Sequence, residues 1–97
     1  MNEEIEHNYQ YDRLLEAVLN EPGKVASIVA EDRGILEEQN CCDETCLHWL
    51  AVENHIEGVK LLRSLGAKIS PWAIAHSIEV GSLEMVVLLL ELGGVPE

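Results

Sequence analysis

The chain has 97 residues, 47% of them hydrophobic, with 18 acidic side chains against 6 basic ones and a formal net charge of −12. That length supports one small domain, and a field of this sign repels phosphate backbones, so nucleic acid is excluded as an expected partner. Aromatic residues make up 4% of the chain and Phe is absent, so the core must be aliphatic; the longest apolar run, Met85 to Leu90, is far below the roughly 18 residues a membrane span needs.

Residues 1–10 read as a short acidic lead-in carrying Glu3, Glu4 and Glu6. No apolar h-region follows them, so no secretory signal is expected. The first helix-turn-helix unit is expected over residues 11–39, with Pro22-Gly23 at the interhelical turn. Proline suits a helix N-terminus there, because its missing N–H would be unsatisfied anyway.

The second unit, over residues 40–70, has the clearest pattern. Thr45 precedes an apolar-periodic run and suits an N-cap, although His48 three places on leaves no capping box. Leu47, Leu50 and Ala51 fall at helical spacing on one buried stripe. Asn54 stands where the first helix should stop, since Asn tolerates a left-handed conformation. A second helix is predicted from about Ile56 to Leu65, burying Val59, Leu61 and Leu62 and ending at Gly66. The third unit, over residues 71–97, repeats this with Gly81 between helices and Gly93-Gly94 as terminator.

Counting supports the repetition. Shifted back by 33 residues, Leu47, Ala51, Leu61, Leu62 and Ile69 fall on Leu14, Val18, Ile28, Val29 and Leu36. Shifted forward by 27, Leu47 falls on Ile74, Ala51 on Ile78, Asn54 on Gly81, Leu61 on Leu88, Leu62 on Leu89 and Gly66 on Gly93. The second period is six residues shorter, which implies a trimmed segment between Ser70 and Pro71, with Trp72 expected to pack at that shortened junction. Repetition of the same unit, at 33 and then 27 residues, points to an all-α solenoid of about three helix-turn-helix units with short connecting hairpins.

The middle unit resembles an ankyrin repeat, whose signature is Thr-Pro-Leu-His-x-Ala. Here it stands as Thr45-Cys46-Leu47-His48-Trp49-Leu50-Ala51, with Cys46 in the proline place, followed by Asn54-His55-Ile56-Glu57-Gly58-Val59-Lys60-Leu61-Leu62 and Gly66-Ala67. The flanking copies lack the histidine and carry Leu15 and Ala75 in its place. The resemblance implies one ankyrin-repeat domain over residues 1–97. It also implies that His48 hydrogen-bonds loop backbone and that Cys46 packs at a helix start.

Cys41, Cys42, Cys46, His48 and His55 lie within fifteen residues, and thiolate plus imidazole suits Zn²⁺. Their spacing lacks Cys-x-x-Cys and a second downstream pair, so no metal or other cofactor is expected. Three cysteines, an odd count, argue against a disulfide framework and fit a reducing, cytoplasmic setting. Cys41 and Cys42 fall near a hairpin tip, where exposed thiols are one reading and two small tolerated residues the other. No serine stands in a nucleophile elbow and no phosphate-cradling glycine loop occurs. Glu53 and Glu79 read as solvated carboxylates, because a groove between helix pairs offers no desolvated pocket for acid–base work. The expectation is a protein that is not an enzyme.

In the family the resemblance names, partners dock on a concave face of hairpin tips and outward first-helix positions. Residue by residue, those places are Glu16, Leu19 and Asn20 in the first unit. They are Cys41, Cys42, Glu44, Trp49, Val52 and Glu53 in the second, and His76, Glu79 and Val80 in the third. Trp49 is the expected anchor, since large aromatics dominate interface energetics; packing inside the fold is its competing role. The last helix reads Met85-Val86-Val87-Leu88-Leu89-Leu90, and no polar capping unit follows it before Glu97, so this face is expected to meet another copy of the chain or a different protein. The acidic charge is spread over both halves of the chain, as solubility alone would ask, and it also suits a basic protein partner. Two functions follow. One is an interaction module binding a protein; the other is an antitoxin- or immunity-type inhibitor of a basic toxin or enzyme. A metal-dependent enzyme stands behind both.

Overall fold

The computed structural model describes residues 8–96; most of the acidic lead-in and Glu97 lie outside them. Among the described residues the chain is all-α, with six α-helices, two 3-10 turns and no named strand. The helices are α1 Tyr9–Asn20, α2 Val25–Glu31, α3 Cys46–Val52, α4 Ile56–Ser64, α5 Pro71–Glu79 and α6 Leu83–Glu91. Packing divides the chain into two compact units, one ending at Cys46 and the other beginning at Leu47.

In the first unit α1 begins at Tyr9, so the lead-in is shorter than the ten residues expected. Asn8 sets that start: its Oδ1 accepts from the Tyr11 N–H at 3.1 Å. Its Nδ2 donates to Glu38 Oε1 at 2.8 Å and to the Gln39 carbonyl at 3.0 Å, tying the helix start to the hairpin. Tyr11, Leu14, Ala17 and Val18 form the buried stripe of α1 at helical spacing. A 3-10 turn at Pro22–Lys24 carries proline at its first position and leads into α2. The second helix of this unit is broken. At Asp32 the backbone is extended and Oδ1 accepts from the Gly34 N–H at 3.0 Å, which starts a separate 3-10 turn, Arg33–Glu37, burying Ile35 and Leu36. A tight hairpin follows, marked by an antiparallel bridge between Gln39 and Thr45.

In the second unit α3 buries Leu47, His48, Leu50 and Ala51. Asn54 reverses the chain in the left-handed region (φ 60°), and the His55 N–H donates to the Leu50 carbonyl at 2.8 Å. The α4 stripe is Gly58, Val59 and Leu62; Leu61, expected inside, is only half-buried, because helical spacing puts it at the edge of that stripe. Gly66 ends α4 at φ 107°, where the absence of a Cβ removes the strain. The next connection, residues 65–70, contains no bridge, as the shorter period requires. Ser70 Oγ accepts from the Trp72 N–H at 3.1 Å and Pro71 takes the first position of α5. Helices α5 and α6 pack on each other through Ala73, Ile74, Ser77, Met85 and Leu89. Arg63 fastens the far end, donating to the Leu92 carbonyl at 3.0 Å and the Ala67 carbonyl at 2.8 Å.

The repetition holds at the level of burial. Leu14, Leu47 and Ile74 are buried, as are Val25, Gly58 and Met85, and likewise Val29, Leu62 and Leu89. Two expectations fail. Ile78, aligned with fully buried Ala51, is 55% exposed, and Trp72 is 63% exposed and does not fill the junction. Both lie open on the same groove, beside Pro71 and Ala75.

Candidate protein-binding surface

The outward positions of α1 are open. Glu16, Leu19 and Asn20 are exposed, and Glu16 and Asn20 line a shallow groove of about 830 Å³ with Arg13, Lys24, Ser27 and Glu31. Ion pairs cross it, Arg13 to Glu31 at 2.9 Å and Lys24 to Glu21 at 3.1 Å, both solvent-exposed and therefore weak. At the hairpin tip Cys41 and Cys42 are unbridged and exposed, with their sulfurs 3.9 Å apart. The neighbouring Cys41 raises the Cys42 thiol above its ordinary value, chiefly by the hydrogen bond between them. Glu44 is half-buried and accepts from Asn40 Nδ2 at 3.2 Å.

In the second unit Trp49 and Val52 are half-buried on α3 and Glu53 is exposed. On α5, His76 is half-buried, while Glu79 and Val80 are exposed. What joins the two helices is a contact that the repeat pattern did not indicate. His48 Nε2 lies 2.9 Å from His76 Nδ1, with ring centroids 5.0 Å apart. His48 therefore bonds to a side chain on the neighbouring first helix, beyond the loop-backbone role the resemblance implied. The signal in the sequence was weak: two histidines 28 residues apart, close to one short period. Residues 42–71 match the ankyrin repeat family. The middle pair of helices is an ankyrin repeat. The matched segment covers about a third of the chain, and the all-α helix-pair architecture is consistent with it. No curated protein and no solved structure matches the chain. Ankyrin repeats are in general protein–protein interaction modules and in general non-catalytic.

The remaining framework residues of the ankyrin repeat have structural partners. His55 caps α4, its Nδ1 accepting from the Gly58 N–H at 2.9 Å. Cys46 is buried at the start of α3, as the resemblance implied, and its thiol donates to the Tyr11 carbonyl at 3.5 Å. Burial, with Asp12 nearby, pushes that thiol up to about 12. Burial likewise raises the Tyr11 hydroxyl, with Cys46 adding to the effect.

Outward apolar residues form a second feature, which sequence reasoning only partly anticipated. Trp72 and Ile78 join Pro71, Ile74, Ala75 and Pro96 around a groove of about 410 Å³. The signal was present: α5 is apolar nearly all round, so a helix with few packed neighbours had to expose some of it. On α6, Leu83, Val87 and Leu90 are exposed while Met85 and Leu89 face inward. No helix among the described residues is long and apolar enough to cross a membrane.

Proposed function

We propose that this ankyrin-repeat chain is a non-catalytic binding module that docks a protein through its hairpin and first-helix positions. The observation that carries the reading is the His48–His76 contact, which brings α3 and α5 side by side within one compact unit. We read their outward residues Trp49, Val52, Glu53, His76, Glu79 and Val80, exposed or half-buried, as one docking surface of two carboxylates with apolar anchors. In the first unit, taken by itself, the corresponding positions are Glu16, Leu19, Asn20, Cys41, Cys42 and Glu44, all exposed but the half-buried Glu44. Trp49 has the right exposure for an anchor: its half-buried ring is fixed by packing yet keeps area for a partner. The test is affinity capture from the native host, repeated with Trp49→Ala and Glu53→Lys. A partner lost with both variants supports the face, and one retained with both refutes it.

The net charge of −12 favours a basic partner, and with it the reading of an antitoxin- or immunity-type inhibitor. Association with such a partner slows steeply as salt is raised; an on-rate indifferent to salt removes the basic partner. The exposed Leu83, Val87 and Leu90 on α6 support self-association, and light scattering that finds only monomer at high concentration overturns it. An odd count of three cysteines fits a reducing, cytoplasmic location.

A further inference from the structure

We propose that Cys41 and Cys42 form a chelating site for a thiophilic divalent cation of the zinc class. The sequence argued against zinc for the larger group of cysteines and histidines, but the hairpin arranges two of them in a way the spacing does not reveal. Adjacent side chains in an extended strand point to opposite faces. Here the turn brings both sulfurs to the same side, 3.9 Å apart and open to solvent.

That separation decides between the two reactions open to a pair of thiols. A metal bound tetrahedrally with metal–sulfur bonds of about 2.3 Å places neighbouring sulfurs about 3.8 Å apart, the edge of the tetrahedron. The pair already stands at that distance. An unstrained internal disulfide usually has Cα atoms about 4.4–6.8 Å apart, whereas consecutive residues joined by a trans peptide are held at about 3.8 Å, so bridging them stores strain. The same two residues are thus well placed for chelation and badly placed for oxidation to an internal bridge.

The turn also holds its shape without the ion. Asn40 Oδ1 accepts from the Cys42 N–H at 2.8 Å and the Glu44 N–H at 3.0 Å. Asn40 Nδ2 donates to the Tyr11 hydroxyl at 3.1 Å, anchoring the loop to the buried stripe of α1. The Asn40 N–H donates to the Glu44 carbonyl at 2.9 Å and the Asp43 N–H to the Asn40 carbonyl at 3.1 Å, with Asp43 left-handed at φ 61°. Pre-ordering of this kind reduces the entropy lost on binding. The negative field of the chain draws cations to the tip. On binding, each thiol releases its proton to solvent and each sulfur donates an electron pair to the metal; the other coordination positions stay open to water or a further ligand.

Cadmium is the probe, because thiolate coordination gives an ultraviolet charge-transfer band that imidazole or carboxylate binding does not. The reduced full chain takes up one equivalent of Cd²⁺ with that band and a release of protons. Cys41→Ser and Cys42→Ser each bind about a hundredfold more weakly, since either one removes the chelate. Cys46→Ala leaves the titration unchanged, because that thiol is buried in the fold. Absence of the band in the wild-type protein, or a titration unchanged in either serine variant, overturns the site.

Discussion

Ser77 offers the sharpest test of how this small core is built. It lies fully buried on α5, and its hydroxyl has no hydrogen-bond partner among the described residues. In the repeat register it stands where the ankyrin repeat has Leu50, itself fully buried. Burying a hydroxyl without a compensating bond costs about 1–3 kcal/mol. Alanine at a helical position is a further ~0.5 kcal/mol better than serine. Against this, removing the oxygen leaves a void of roughly 10–15 Å³, which at about 24 cal/mol per Å³ costs about 0.3 kcal/mol. Ser77→Ala should therefore stabilise the protein by about 1–3 kcal/mol. For a domain of this size that raises Tm by roughly 4–8 °C per kcal/mol. Thermal melts followed by circular dichroism, with urea titrations at unchanged m-value, measure it. A Tm at or below that of the wild type refutes the reasoning and means that the hydroxyl is satisfied in solution.

Two further outcomes follow from backbone packing and from burial of thiol and phenol. Gly94→Ala places a Cβ 2.8 Å from the Leu89 carbonyl oxygen and 2.9 Å from Ile69 Cγ2, on a backbone fixed by the 2.8 Å bond from Gly94 N–H to that carbonyl. It should destabilise by about 1–3 kcal/mol, against about 1 kcal/mol for Gly81→Ala, which meets nothing within 4 Å and suffers only its positive φ. Equal losses in urea titrations contradict the close-approach argument. Cys46 and Tyr11 resist ionisation in the fold, so the unfolded chain loses these protons first and stability falls as the medium becomes alkaline. For Cys46 the loss starts near the ordinary thiol value of 9.0 and continues to about 12, at no more than ~1.4 kcal/mol per pH unit. Urea midpoints measured up that range check it, and Cys46→Ala should flatten the slope.

Much of the fold was legible because burial repeats with the sequence. The glycines and Asn54 that end helices were identifiable from the absence of strain at positive φ, and the trimmed connection followed from the period alone. What escaped were positions where the neighbour decides. Ile78 carries the residue type of a core position, but exposure depends on what covers α5, and Ile78 lies open on a groove. Leu61 lies at the edge of the stripe that Gly58, Val59 and Leu62 bury, where a neighbour decides its exposure. At the candidate surface, individual positions could be placed on helices and hairpin by analogy. The His48–His76 contact and the shared side of Cys41 and Cys42 depend on side-chain direction, which no spacing rule contains.

The account centres on a protein partner held by the outward faces of α3 and α5. Backbone amide NMR of the ¹⁵N-labelled chain, titrated with a captured partner, tests it most directly. The largest shifts should fall on Trp49, Val52 and Glu53 together with His76, Glu79 and Val80. Shifts confined to α2, α4 and α6, with Trp49 and Glu53 unmoved, would contradict it.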